Sequence, residues 1–202
     1  MRQKTVRFPV RGLGRLVDRG FAQSLRVKRA AWKSCRRDLL AAGQVLSECL
    51  QGGGKILLCG NGGSAADCQH FAGEMINYLS RKNPRGPLAA VALTADSSVI
   101  TSISNDRNFD LVFARQVEAL GQPGDILIGI STSGSSRNVV QAVRAARRKG
   151  MQVVVLTGQG GVLARMANLA LQVPSRDTQR IQETHLLFEH LMCELAEKYF
   201  LD

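Results

Sequence analysis

The sequence has no apolar run long enough to cross a membrane. Its longest apolar runs, such as 88–93 and 126–130, are at most about a third of the ~20 residues that a membrane-spanning helix needs. No continuous apolar segment typical of a signal peptide opens the chain. Proline is scarce, with 5 residues in 202, while hydrophobic residues make up 45%, which excludes a disordered or collagen-like chain. We therefore expect one globular α/β domain that does not contact a membrane.

Cysteine pairs of the CxxC type are absent, which excludes the redox and zinc motifs built on them. The five cysteines are odd in number and lie far apart, at Cys35, Cys49, Cys59, Cys68 and Cys193. Such cysteines favour reduced thiols over disulfides. The sequence therefore predicts a cytoplasmic protein.

Two nucleotide-binding motifs are also missing. There is no GxxxxGK[ST] sequence, which excludes a P-loop. The turn at 60–65 has the glycine spacing of a dinucleotide site, but such a site needs an acidic residue about 20 residues further on. The first acidic residue after the next predicted strand is Asp96, which is too distant.

Acidic residues are nearly absent from the first 37 residues, which contain twelve basic side chains and only Asp18. This segment accounts for the whole net charge of +11, and the remaining chain is neutral. Residues 1–20 show no sustained hydrophobic period and contain Pro9, Gly12, Gly14 and Gly20, so we predict a mobile basic tail there. Three interpretations stay open: a stretch outside the mature protein, a tail that binds an acidic partner or nucleic acid, and a structural extension. Nucleic acid is not expected as a partner except through this tail.

The apolar pattern predicts a single domain over residues 21–202 in which helices cover both faces of a parallel sheet. Continuous apolar runs predict strands at 55–59, 88–93, 125–130, 152–156 and 170–173. Helical spacing predicts helices at 21–51, 64–80, 96–104, 109–120, 136–149, 162–167 and 179–199. The predicted fold is doubly wound, five-stranded and flavodoxin-like, with a helical N-terminal region and a long C-terminal helix.

The last predicted helix carries a wide, mostly apolar stripe. Its members recur at steps of three or four residues and are Ile181, His185, Phe188, Leu191, Met192, Leu195 and Tyr199. The stripe predicts burial against the sheet, against a partner subunit, or against both.

Two loops carry residue types that bind phosphate. The first, at 61–64, follows a predicted strand and opens a helix, where backbone N–H groups and the helix dipole attract an anion. The second, at 131–136, offers five hydroxyl groups around one glycine and no lysine, which favours a sugar phosphate over a nucleoside triphosphate. A plain turn, or a serine-rich helix cap without a ligand, stays open for each loop.

His70 and Glu74 are one helical turn apart and share a face, a spacing that allows both to bind one metal ion. The last helix adds Gln182, Glu183, His185 and His190. The spacing of eight from Gln182 to His190 corresponds to ~12 Å of helix. Either long side chains converge or neighbouring subunits share the site. His185 lies outside this pattern, and we expect a packed or surface role for it.

Five strings occur in order along the chain: CGNGGSAADCQHFAGE, SNDRNF, GISTSGSS, VVLTG and RIQETHLLFEH. Together they resemble the phosphoheptose isomerase (sedoheptulose 7-phosphate isomerase) family, a branch of the sugar-isomerase (SIS) domain superfamily, over residues 21–200. The resemblance implies conversion of sedoheptulose 7-phosphate to D-glycero-D-manno-heptose 7-phosphate, the first step of heptose precursor synthesis for surface glycans such as lipopolysaccharide. It also implies a homotetramer with one zinc ion per subunit.

The resemblance also implies which residues form the site. Glu74 and His190 are expected as the acid/base pair. The expected zinc ligands are His70, Glu74, Gln182 and His190. The expected substrate-binding residues are Asn61, Gly62, Gly63, Ser64, Glu74, Asn105, Asp106, Ser131, Thr132, Ser133, Ser136 and Gln182.

An alternative function is a non-catalytic SIS domain that binds a sugar phosphate, or a replication-initiation protein that binds DnaA. A protein that only binds has no need of two proton-transfer groups. The presence of Glu74 and His190 therefore favours the isomerase.

Overall fold

The computed structural model of the chain describes residues 12–80 and 84–201, and its centre is a five-stranded parallel sheet. Strands β1 to β5 span Ile56–Gly60, Ala90–Ala92, Ile126–Ser131, Gln152–Thr157 and Leu169–Gln172. Their order in the sheet is β2-β1-β3-β4-β5, and each neighbouring pair is parallel. The predicted doubly wound sheet is confirmed, and all five strands end within two residues of their predicted bounds.

Helices cover both faces of this sheet. Helices α1 to α7 span Leu13–Gln51, Gly63–Ile76, Ser97–Asp106, Val112–Leu120, Arg137–Arg148, Leu163–Met166 and Thr178–Leu201. Alternate residues of β1 point to opposite faces, so that Ile56 joins the core under α1, α2 and α7, while Leu57 joins the core under α4, α5 and α6. The continuous apolar strands of the sequence are explained by this burial on both sides.

The first helix begins at Leu13, eight residues before the predicted start, so the predicted start of this helix is wrong and residues 13–20 are helical. Gly14 and Gly20 weaken the helical pattern of the sequence, but a glycine inside a helix costs only about 1 kcal/mol relative to alanine. The carbonyl oxygen of Gly20 also accepts a hydrogen bond from Arg180 Nη1 at 2.8 Å, which ties this part of α1 to α7. Residues 1–11 lie outside the described residues, and the predicted tail stays a prediction for them.

The last helix packs against the chain's own core and against α1. Ile181, Phe188 and Met192 of its predicted stripe are buried there. Gly43 permits a close approach of the two helices, because a Cβ atom at this position would collide with the side chain of Leu195. No helix among the described residues has the length and apolarity to span a membrane.

The strand order places two loops side by side at the carboxyl edge of the sheet. Residues after β1 and after β3 follow adjacent strands, and β2 and β4 lie on the outer sides of this pair. A crevice forms at such a point of reversal, and open α/β sheets bind their ligands there. The loops at 61–64 and 131–136, which carry the residue types that bind phosphate, lie at this crevice.

Candidate active site

Three predicted metal ligands converge in one chain. The ligand atoms of His70, Glu74 and His190 all lie within 4.8 Å of one another, and we refer to these residues as the ligand cluster. Nε2 of His70 is 3.2 Å from Oε1 of Glu74, and the rings of His70 and His190 meet edge to face with centroids 5.0 Å apart. The side chains of His70 and Glu74 are 39% and 21% exposed, which leaves access to a substrate. The i, i+4 spacing in α2 brings together only His70 and Glu74. The packing of α2 against α7 adds His190 and so completes the cluster.

Gln182, the fourth predicted metal ligand, lies further back along α7. Its side chain packs against Gly63, where a Cβ atom would collide with it, and its Nε2 is 3.5 Å from Oδ1 of Asp67. Glycine at position 63 is thus needed to make room for this amide. Gln182 therefore contacts both Gly63, at the loop after β1, and Asp67. Because Asp67 lies one helical turn before His70 on α2, Gln182 connects this loop to the ligand cluster.

The loop at 131–136, which we call the serine loop, brings three of its five hydroxyl groups together. Oγ of Ser131 is 3.3 Å from Oγ of Ser133 and 2.9 Å from Oγ of Ser136. Gly134 has a φ of +67°, and its carbonyl oxygen accepts hydrogen bonds from two backbone N–H groups of the segment after β4, which fixes the loop. Hydroxyl groups at the start of α5 are well placed to donate to an anion.

The loop after β1 is held by a residue that sequence reasoning missed. Asn61 and Asn138 exchange two amide hydrogen bonds of 2.9 Å and 2.8 Å. Asn138 is buried at the start of α5, so this pair joins the first loop to the helix that follows the serine loop. Gly62 adopts a φ of +56° at the start of α2, and Ser64 is buried in its first turn. The sequence signal that could have identified Asn138 is its position two residues after the serine loop.

Asn105 and Asp106 are not brought into contact with the ligand cluster or the serine loop. Both are exposed at the end of α3. Among the described residues, their side chains hydrogen-bond only to each other, with Nδ2 of Asn105 donating to Oδ1 of Asp106 at 2.9 Å. The predicted role of this pair in substrate binding stays a prediction.

The two helices that carry the ligand cluster also contain two buried carboxyl groups that were not predicted. Glu189 precedes His190 on α7 and is 1% exposed, and Asp67 on α2 is 7% exposed. Burial, together with the charge of Asp67, raises the pKa of Glu189 to about 8, and burial raises the pKa of Asp67. Burial therefore favours the neutral form of Glu189. His185 is fully buried, as the packed role predicts, and burial lowers its pKa to about 4.

Arg85 ties together the two helices that carry the ligand cluster. Its side chain is 2% exposed and pairs with the 6% exposed Glu197 of α7, with Nη2 at 2.8 Å from Oε1. The same guanidinium donates to the carbonyl oxygens of Glu74 at 2.9 Å and Met75 at 2.8 Å, at the end of α2. The main chain of Glu74 is thereby anchored to α7, which carries His190.

Comparison with known proteins places this geometry in a family. The SIS domain family matches residues 21–158. A phosphoheptose isomerase from Neisseria gonorrhoeae is 49% identical over 186 residues, which cover 90% of this chain and 93% of that protein. Another from a Roseiflexus species is 50% identical over 176 residues, which cover 87% of this chain and 88% of that protein.

Solved structures agree with the sequence relatives. A phosphoheptose isomerase structure from Neisseria gonorrhoeae superposes with a TM-score of 0.86 at 48% identity, and covers 92% of this chain and 99% of that one. The structure of a phosphoheptose isomerase from Francisella tularensis has a TM-score of 0.88 at 37% identity, and covers 94% of this chain and 100% of that one. The five cysteines are free, in agreement with the predicted reduced thiols, and all five are buried. With its parallel sheet, its serine loop and its cluster of two histidines and a glutamate, the chain belongs to the SIS-domain family and, within it, to the phosphoheptose isomerases.

Proposed function

We propose that this isomerase converts sedoheptulose 7-phosphate into D-glycero-D-manno-heptose 7-phosphate, with Glu74 and His190 as its proton-transfer groups. The observation that carries the proposal is the convergence of the ligand cluster within 4.8 Å, in a chain that is 49% identical to a phosphoheptose isomerase. A protein that only binds sugar phosphates has no need of such a cluster, so the non-catalytic alternative is not favoured.

The reaction moves a carbonyl group from C2 of the ketose to C1 of the aldose and needs only proton carriers. One of the two groups acts as a base and removes a proton from C1, and the electron pair of that C–H bond forms a C1–C2 double bond. The other acts as an acid and protonates the carbonyl oxygen at C2, which gives an enediol. Protonation at C2, with loss of the proton from the C1 hydroxyl group, yields the aldehyde.

Zinc, at one ion per subunit, fits the donor set of the ligand cluster. Zinc binds histidine nitrogen and carboxylate oxygen, and His70, Glu74 and His190 offer three such atoms within 4.8 Å of one another. Gln182 is the proposed fourth protein ligand. When bound, zinc supplies Lewis-acid polarisation of the two reacting substrate oxygens.

We expect the serine loop to hold the phosphate group of the substrate, so that binding energy remote from the reaction orients the reacting carbons. Ser133→Ala and Ser136→Ala each remove one hydroxyl donor to a charged oxygen, an interaction of about 1.5–3 kcal/mol. We therefore predict that each raises KM for sedoheptulose 7-phosphate by about 10- to 100-fold. Steady-state kinetics and inhibition by inorganic phosphate measure this effect.

Ser135→Ala is the matched control for this prediction. Ser135 is exposed in the same loop, but its hydroxyl group does not share the close contacts of Ser131, Ser133 and Ser136. We expect less than about a twofold change in KM for this variant. Equal losses in all three variants would show that the loop conformation, and not hydroxyl donation, sets substrate affinity.

A homotetramer is part of the proposal. Large apolar side chains of α1 are unusually exposed, with Phe21 at 70%, Leu25 at 67% and Trp32 at 62%, and a patch of this kind favours contact between subunits.

We predict four chain masses of 21.9 kDa by light scattering, and smaller species for Phe21→Glu and Leu25→Glu because each places a charge in the apolar contact. Ala30→Glu, at an exposed position of the same helix, is the control and should stay tetrameric. An active wild-type monomer would contradict the proposed tetramer.

The substrate assignment is tested by a direct comparison of two ketoses. Sedoheptulose 7-phosphate and unphosphorylated sedoheptulose are incubated with the enzyme, and aldose formation is followed by NMR. We expect turnover of the phosphorylated sugar and a kcat/KM lower by at least about 100-fold for the free sugar, because the serine loop then has no anion to bind. Equal rates would overturn the assignment.

A cytoplasmic location belongs to the same proposal and is supported by the five free cysteines.

A further inference from the structure

We propose that the outer side of α1 binds the phosphodiester backbone of duplex nucleic acid. At about 100° per residue, seven basic residues of α1 fall within one sector of about 100°. These residues, the basic stripe, are Arg15, Arg19, Arg26, Arg29, Lys33, Arg36 and Arg37. The stripe is distinct from the isomerase site, so this proposal stands whether or not the proposed function is correct.

The basic stripe is not neutralised within the chain. In the single chain all seven side chains are exposed, and among the described residues none of them forms an ion pair. Between positions 13 and 37 the same sector otherwise contains only Asp18 and Ala22. The side of α1 that is buried against the core, with Ala31 and Ala42, lies roughly opposite. A free row of like charges facing solvent is the electrostatic footprint of a polyanion-binding surface.

The spacing and chemistry of the basic stripe suit phosphate groups. From Arg15 to Arg37 the helix rises ~33 Å, with about one cation for each 5.4 Å turn. Such a length corresponds to about ten base pairs at 3.4 Å per phosphate on each strand. Six of the seven residues are arginine, whose planar guanidinium binds phosphate through two parallel hydrogen bonds.

Duplex nucleic acid fits the basic stripe better than a membrane or a single strand. A helix that lies on a membrane needs apolar side chains to insert beside its charges, and single strands are bound by stacking on aromatic rings. The sector contains neither a large apolar nor an aromatic residue. The exposed Phe21, Leu25 and Trp32 border the sector on one side, and we assign them to subunit contact.

The test compares two variants with equal loss of charge. The stripe variant is Arg19→Gln, Arg26→Gln, Arg29→Gln and Lys33→Gln. The control variant removes four exposed arginines from other surfaces, as Arg144→Gln, Arg147→Gln, Arg165→Gln and Arg176→Gln. Binding to a fluorescein-labelled 24-base-pair DNA is measured by anisotropy between 50 and 200 mM NaCl on the full chain, and isomerase activity and light scattering report the fold of each variant.

We expect the stripe variant to bind this DNA at least about tenfold more weakly, with a log–log salt slope smaller by about three to four, because each lost phosphate contact removes about 0.9 from the slope. The control variant should stay within about threefold of the wild type. Equal weakening of both variants would assign binding to net charge alone and overturn the proposal. Absence of DNA binding at 50 mM NaCl, or stripe-dependent binding only to vesicles with 30% phosphatidylserine, would overturn it as well.

Discussion

Glu74→Gln and His190→Asn should each lower kcat for the isomerisation by about 10²–10⁴-fold, the effect expected for loss of a general acid or base. Both substitutions keep the approximate size of the side chain. Each removes a group that can carry a proton between the carbon and oxygen atoms of the substrate. The two residues lie together with His70 in the ligand cluster, so the loss should be similar for either one. Steady-state kinetics with sedoheptulose 7-phosphate measure the change.

Glu194→Gln is the control for these two variants. Glu194 is exposed on α7, one helical turn beyond His190, and an amide there should leave kcat within about twofold of the wild type. Because Glu74 and His190 are also proposed zinc ligands, the zinc content of each variant has to be measured beside its activity. Restoration of full activity by excess zinc would assign the residues to metal binding alone and would contradict the proton-transfer role.

Arg85→Met should reduce the free energy of unfolding by about 3–5 kcal/mol, because it leaves the buried carboxylate of Glu197 without its partner. It also removes the donors to the carbonyl oxygens of Glu74 and Met75 at the end of α2. Urea unfolding of variant and wild type at equal protein concentration measures the difference. The concentration must match because assembly adds to apparent stability.

Arg115→Met provides the comparison for a surface pair. Arg115 is 3.2 Å from Glu118, and their side chains are 48% and 39% exposed, so this pair should contribute at most about 1 kcal/mol. Arg85→Lys should fall between the two, because lysine keeps the charge but not the forked geometry. A loss below about 1 kcal/mol for Arg85→Met would show that the contact with Glu197 does not hold the helices together.

The sheet could be predicted because its signals are local. Each strand is a short apolar run bounded by polar or glycine-rich sequence, and burial on both faces removes the alternation that would have suggested an antiparallel sheet. The end of α2 shows the opposite case, since the pattern predicts a helix to residue 80 and the helix ends at Ile76. Its last carbonyl groups bind Arg85, which follows in a separate segment. Such a contact between separate segments leaves no periodic signal.

The site was predicted in part for the same reason. The spacing of His70 and Glu74 places them on one helix face, but the approach of His190 depends on how α7 packs against α2, which no spacing within either helix determines. Glu189 was not predicted as a buried group because glutamate is almost never fully buried. The start of α1 could not be predicted because Gly14 and Gly20 interrupt the helical pattern there, although the leucines and arginines around them favour a helix.

The central claim is that Glu74 and His190 carry protons through an enediol, and prolonged equilibration in D2O tests it most directly. Wild-type enzyme and sedoheptulose 7-phosphate are brought to equilibrium, and deuterium at C2 of the aldose and C1 of the ketose is measured by NMR. Proton transfer through side chains open to solvent, as Glu74 is at 21% exposure, predicts deuterium at both carbons. Formation of the aldose without deuterium at either carbon would indicate direct hydride migration and would contradict the account.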